Sequence, residues 1–87
     1  MTAIETKNKA IKTLENLIPL STRLLFNNEI EKEACKGNLS CVIQKDDILF
    51  RLDKNTANQI LEIYNYYVLL GYKVELNNYS DFIISWA

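Results

Sequence analysis

The run from Thr56 to Leu70 is apolar around most of a helical circumference, and it limits the possible folds more than any other stretch. Ala57, Ile60, Leu61, Tyr64 and Val68 recur at helical spacing, and Ile63, Tyr67 and Leu70 widen the stripe. Asn58, Gln59, Glu62 and Asn65 leave only a narrow polar strip, so this helix is expected to be covered on more than one side. Asp53 to Thr56 offer N-cap side chains, and Thr56 with Gln59 has capping-box spacing. Gly71 suits the position just past the helix end, where a left-handed backbone costs glycine little.

Beyond that glycine the pattern changes period. Tyr72 to Leu76 alternates strictly, the mark of a half-buried strand. Asn77-Asn78 predicts a tight turn, since asparagine tolerates positive φ. Phe82 to Trp86 is a second strand-forming run with Phe82, Ile84 and Trp86 on one face. A closing strand needs neighbours to hold it, so the hairpin is expected well inside a sheet.

Upstream, Thr2 and Glu5 form a capping-box pair for a helix carrying Ile4, Ile11, Leu14 and Ile18 on one side. Pro19, the chain's one proline, predicts a break between Ile18 and Leu20, because it lacks an N–H and collides with the preceding turn. A second helix follows over Ser21 to Lys36, with Leu25 or Phe26, Ile30 and Ala34 inward and Gly37-Asn38 as its stop. Ile4, Ile11, Ile18 and Leu25 fall seven apart, but the second heptad position holds Lys7, Leu14, Ser21 and Asn28, which argues against a coiled coil. Leu24, Leu25 and Phe26 cannot all face one core. Either one leucine is partly exposed above a sheet, or the region from Leu17 to Phe26 is a subunit interface.

Leu39 to Gln44 reads as a strand and Lys45 to Asp47 as a turn. Ile48 to Leu52 is expected to be a further strand with Ile48, Phe50 and Leu52 inward, a short helix-like link being the alternative. The resulting order is α-α-β-β-α-β-β. It predicts an α+β, two-layer sandwich: a kinked N-terminal helix pair and one central helix on one face of a small, mainly antiparallel sheet. With 87 residues and no repeat or linker, one domain is expected over residues 1–87.

Ten basic and eleven acidic residues give a formal charge of −1 without a basic block, so nucleic-acid or membrane attraction has little electrostatic support. No apolar h-region opens the chain and no run reaches membrane-spanning length, which predicts a soluble, cytoplasmic protein. Cys35 and Cys41 are expected as reduced, core-leaning thiols.

Histidine is absent, which removes the commonest general base and the Ser-His and Cys-His nucleophile pairs. Two cysteines without histidine are too few for a structural zinc, and two glycines cannot form a phosphate-cradling loop. Asp46, Asp47 and Asp53 lack EF-hand spacing and read as a turn plus a helix cap. No catalytic residue, metal or cofactor is expected. Among five tyrosines, Tyr66 and Tyr79 are expected to be exposed and so available to a partner. The outward sheet face (Ser40, Val42, Gln44, Leu49, Arg51, Lys73, Glu75, Ile83 and Ser85) carries no aromatic residue, which disfavours an RNA-reading sheet.

Met1-Thr2-Ala3, Lys36 to Cys41, Leu70 to Val74 and Ile83 to Trp86 together resemble small, mostly uncharacterised proteins encoded by tailed bacteriophages, departing at Pro19 and Lys45 to Asp53. The resemblance implies an accessory protein, either part of the particle or an inhibitor of a host system, and implies no catalytic residues. The expected function is therefore non-enzymatic protein binding, as an oligomer, with Leu17, Leu24, Leu25, Phe26, Tyr66 and Tyr79 as candidate interface residues. A virion component and a sponge for a nucleotide signal remain alternatives, the latter drawing on Arg51 and Lys54 as ligand contacts together with Tyr66 and Tyr79.

Overall fold

A computed structural model describes residues 1–87 as three helices and a three-stranded antiparallel sheet, the expected α+β class. Helix α1 spans Ala3–Leu17, α2 Leu20–Cys35 and α3 Thr56–Leu69; strands β1, β2 and β3 span Ser40–Ile43, Lys73–Leu76 and Phe82–Ser85. Local chemistry sets most of these boundaries. The Thr2 hydroxyl accepts the Glu5 N–H and caps α1. Pro19 separates α1 from α2, and its carbonyl accepts from Thr22 and Arg23 as α2 begins.

Helices α2 and α3 end in the same way. Gly37 (φ +84°) and Gly71 (φ +103°) each follow the C-cap residue in the left-handed region. The Gly37 and Asn38 N–H groups bond the Ala34 and Glu33 carbonyls; Gly71 and Tyr72 repeat the pattern onto Val68 and Tyr67. These are Schellman closures, and each ties its last two donors to carbonyls the helix would leave unpaired.

Strand β3 lies between β1 and β2, so the last strand is the centre of the sheet. Cys41 pairs with Ile84 and Ile84 with Val74, which puts all three on the inner face; Ile43 and Phe82 join them two pairs along. Helix α2 packs on β1 and α3 on β2, while α1 packs against α3. Phe26 stacks on Tyr67 at 5.1 Å between ring centroids and meets the edge of Phe82 at 5.2 Å. Tyr66 and Tyr72 complete the cluster around Tyr67 at 5.1 and 6.0 Å. Pairs of this kind add about 0.5–1.5 kcal/mol each beyond the apolar area they bury.

Five local expectations are corrected. The strand expected over Ile48 to Leu52 does not form: a 3-10 turn at Lys45–Asp47 precedes an irregular segment in which Ile48 is buried and Leu52 fully exposed. The backbone there is satisfied by a side chain and not by a ladder, since Gln59 accepts the Arg51 N–H and donates to the Arg51 and Lys54 carbonyls. Gln59 therefore does not close a capping box; Asn55 caps α3 by accepting the Ala57 N–H at 2.8 Å. The inward face of α3 is Gln59, Ile63, Tyr66 and Tyr67, whereas Ala57, Leu61 and Val68 are exposed. A helix apolar nearly all round does not declare its buried side. The β2–β3 turn spans Asn77 to Asp81, and its positive φ falls on Ser80 (+63°), because the Asn77 side chain accepts the Tyr79 and Asp81 N–H groups and folds the loop itself. In α2, Ala34 is exposed while Phe26 and Ile30 are buried.

Candidate functional site

The sharp break at Pro19 and the irregular segment after β1 meet at one corner of the molecule. Leu17 and Pro19 come from the α1–α2 junction, Thr22 from α2, and Ile48, Leu49 and Phe50 from the segment; together they line a crease of about 10 Å³, too small to enclose more than a water. Beside it, Ser21, Thr22, Leu25, Asp47 and Leu49 surround a second hollow of about 90 Å³. Leu49 and Thr22 belong to both walls, so the two form one depression. Leu49 is the dominant apolar group there, 76% exposed.

The turn that carries Asp47 leads to a polar groove. Gln44, Lys45, Asp46, Tyr79 and Asp81 line a space of about 360 Å³. Its frame is tied across the sheet end: Asp81 accepts the Lys45 N–H at 2.9 Å and the Asn77 amide at 3.2 Å. Those two donors, the Lys45 N–H first, hold the Asp81 carboxyl below its usual range. Tyr79 stands out from this frame, 80% exposed. The surface thus runs from Leu17 through Leu49 and Leu25, across the 3-10 turn, to Tyr79. It has an apolar centre and a polar end.

The predicted interface residues divide. Leu17, Leu25 and Tyr79 lie on this strip, and Leu24 is exposed on α2 one turn after exposed Leu20. Phe26 and Tyr66 are not available to a partner, being 0% and 8% exposed inside the aromatic cluster. Three adjacent apolar residues on a helix left the choice between Leu25 and Phe26 open; the ring facing Tyr67 and Phe82 settled it.

The predicted ligand contacts do not converge. Arg51 grips Asp53 with two hydrogen bonds, 3.2 Å from Nε and 2.9 Å from Nη2, which holds the Asp53 carboxyl below its usual range. Lys54 is half-buried and 3.2 Å from Glu62. Tyr66 is in the core and Tyr79 at the polar groove, so no cavity brings two of the four together. Both thiols are free, but only Cys41 is in the core; Cys35, expected to lean inward, is exposed. Burial first, then the nearby Glu29 and Glu33 carboxylates, push the Cys41 thiol up to about 11.

Leu49 is exposed as expected, but at the corner and not on a sheet face, and Leu52, expected inward, is the residue the strand reading misplaced; Pro19, which forces the corner, was the available signal. No helix is long and apolar enough to cross a membrane. Compared with known proteins, the chain matches no family model, no characterised sequence and no solved structure.

Proposed function

We propose that this protein is a non-enzymatic accessory binding protein that works as an oligomer and acts by occupying a protein partner with the strip from Leu17 to Tyr79. The observation that carries the reading is the strip's composition: exposed Leu17 and Leu49 with half-buried Leu25 at the centre, and an outstanding tyrosine beside charged groups at one end. Contact surfaces between proteins are built this way, with an apolar, charge-poor centre, aromatic anchors and a polar rim. The phage setting, as a host-directed inhibitor or a particle component, rests on the resemblance of the Lys36–Cys41, Leu70–Val74 and Ile83–Trp86 segments.

The test is affinity capture from host lysate with wild type, Leu17→Asp/Leu49→Asp and Tyr79→Ala, with folding checked by circular dichroism. One partner should be retained by wild type and lost or weakened more than tenfold in both variants. A partner held equally by all three would place the contact elsewhere and refute the assignment. Particle association separates the two settings, since a virion component copurifies with particles and an inhibitor does not.

A further inference from the structure

Away from the corner, α1 and α3 pack side by side and leave a groove of about 430 Å³ along their open side, lined by Ala10, Thr13, Leu14, Asn65, Val68 and Leu69. The two helices run antiparallel. Leu17 and Ile18 share a crease with Glu62 and Ile63, whereas Ala10 and Leu14 share the groove with Val68 and Leu69. Asn65, Val68 and Leu69, which α3 contributes to the groove, carry no charge, nor do its exposed Ala57, Asn58 and Leu61. The one charged residue of α3, Glu62, is drawn aside by Lys54 at 3.2 Å. The Thr13 hydroxyl donates to the Lys9 carbonyl at 3.0 Å, so the groove wall has one fewer group seeking water. Solvated surfaces of small domains carry roughly 25–35% charged residues, and the centres of protein interfaces are depleted of them.

We infer that this groove receives a second copy of the chain, the α1–α3 layer of one packing on the α1–α3 layer of the other about a two-fold axis along the groove. Such an axis lays α1 of each copy over α3 of its partner in both directions at once, which closes the assembly. Because α1 and α3 already run antiparallel, every adjacent pair in the resulting four-helix array is antiparallel, an arrangement helix dipoles favour.

The area sets the strength. Helices of 15 and 14 residues are about 22 Å long, and two of them side by side span about 20 Å, so each face covers about 440 Å² and the pair about 900 Å². That is about three-quarters of the roughly 1,200 Å² at the lower end of stable interfaces, so a weak, reversible dimer is expected. This inference deepens the oligomeric part of the proposed function, and different residues test the two.

Sedimentation equilibrium of the full chain from about 5 to 500 µM reads the assembly directly. The weight-average mass of wild type should rise twofold from the 10.1 kDa monomer. Val68→Glu and Asn65→Glu, the second at an exposed polar position where folding should be undisturbed, should each weaken association at least tenfold, while Leu49→Asp at the corner should leave it unchanged. Association through an uncharged face should change less than threefold between 50 and 500 mM salt. A chain that stays monomeric throughout leaves the groove to some other helix and overturns the inference. So does a dimer that tolerates both groove variants, or one that salt dissolves.

Discussion

Removing the Gln59 side-chain amide should loosen the whole segment between β1 and α3, because one buried group holds that backbone in place. Its Oε1 accepts the Arg51 N–H at 2.9 Å, and its Nε2 donates to the Arg51 and Lys54 carbonyls at 3.0 and 3.2 Å. Gln59→Leu keeps the volume and removes all three bonds. At about 0.5–1.5 kcal/mol each the loss is about 1.5–4.5 kcal/mol. Arg51 is itself exposed, so water recovers part of this once the segment moves, and about 2 kcal/mol is expected. For a domain of this size that lowers Tm by about 8–16 °C. Gln59→Glu sharpens the test, since it keeps the acceptor but sets a carboxylate against two carbonyl oxygens. Its folded-state pKa is then raised above the ordinary value of about 4.3, so stability should recover as pH falls from 7 toward that value. Urea unfolding followed by circular dichroism gives the free energies, and amide exchange at Arg51 reports the segment itself. If Gln59→Leu lies within about 0.5 kcal/mol of wild type, the typical scatter of neutral surface changes, and Arg51 exchanges no faster, then packing of Ile48 and Phe50 holds the segment and the hydrogen-bond account fails.

Gly71→Ala should cost about 1–2 kcal/mol in urea unfolding although a Cβ there would touch nothing within 4 Å, because the penalty is the backbone conformation at φ +103° and not a collision; an unchanged midpoint would contradict the closure geometry. At pH 8, a thiol reagent should reach exposed Cys35 and modify Cys41 at least a hundredfold more slowly, because Cys41 is buried and its thiol is pushed up to about 11. The raised Cys41 pKa also predicts stability that is whole below about pH 9 and falls as pH rises toward 11, since the unfolded thiol ionises first; Cys41→Ala should remove that slope. Asp81 has the opposite sign. Its depressed pKa gives stability present above its ordinary value of 3.8 and lost as pH falls through the folded value, so Asp81→Asn should flatten the acid limb of the unfolding profile.

Much of this architecture was legible in local chemistry, because the groups that set it lie within a few residues of one another. The Thr2 cap, the break at Pro19, the stops at Gly37 and Gly71 and the alternation in Lys73–Leu76 and Phe82–Ser85 are short-range matters of hydrogen-bonding reach and allowed φ. Of the interface candidates, Leu17, Leu24, Leu25 and Tyr79 are solvent-reached and Phe26 and Tyr66 are not. Ile48 to Leu52 alternates as a strand should, but both edges of β3 are taken by β1 and β2, and Gln59 claims the backbone that a ladder would have used. On its own the sequence determined where helices start and stop and that α3 had to be covered; only the tertiary structure decided which side of α3 is covered, since a nearly all-apolar helix buries whichever face finds aromatic partners. Phe26, Tyr72 and Phe82 drew Tyr66 and Tyr67 inward and left Leu61, Asn65 and Val68 facing out, a choice set by contacts between residues far apart in the chain.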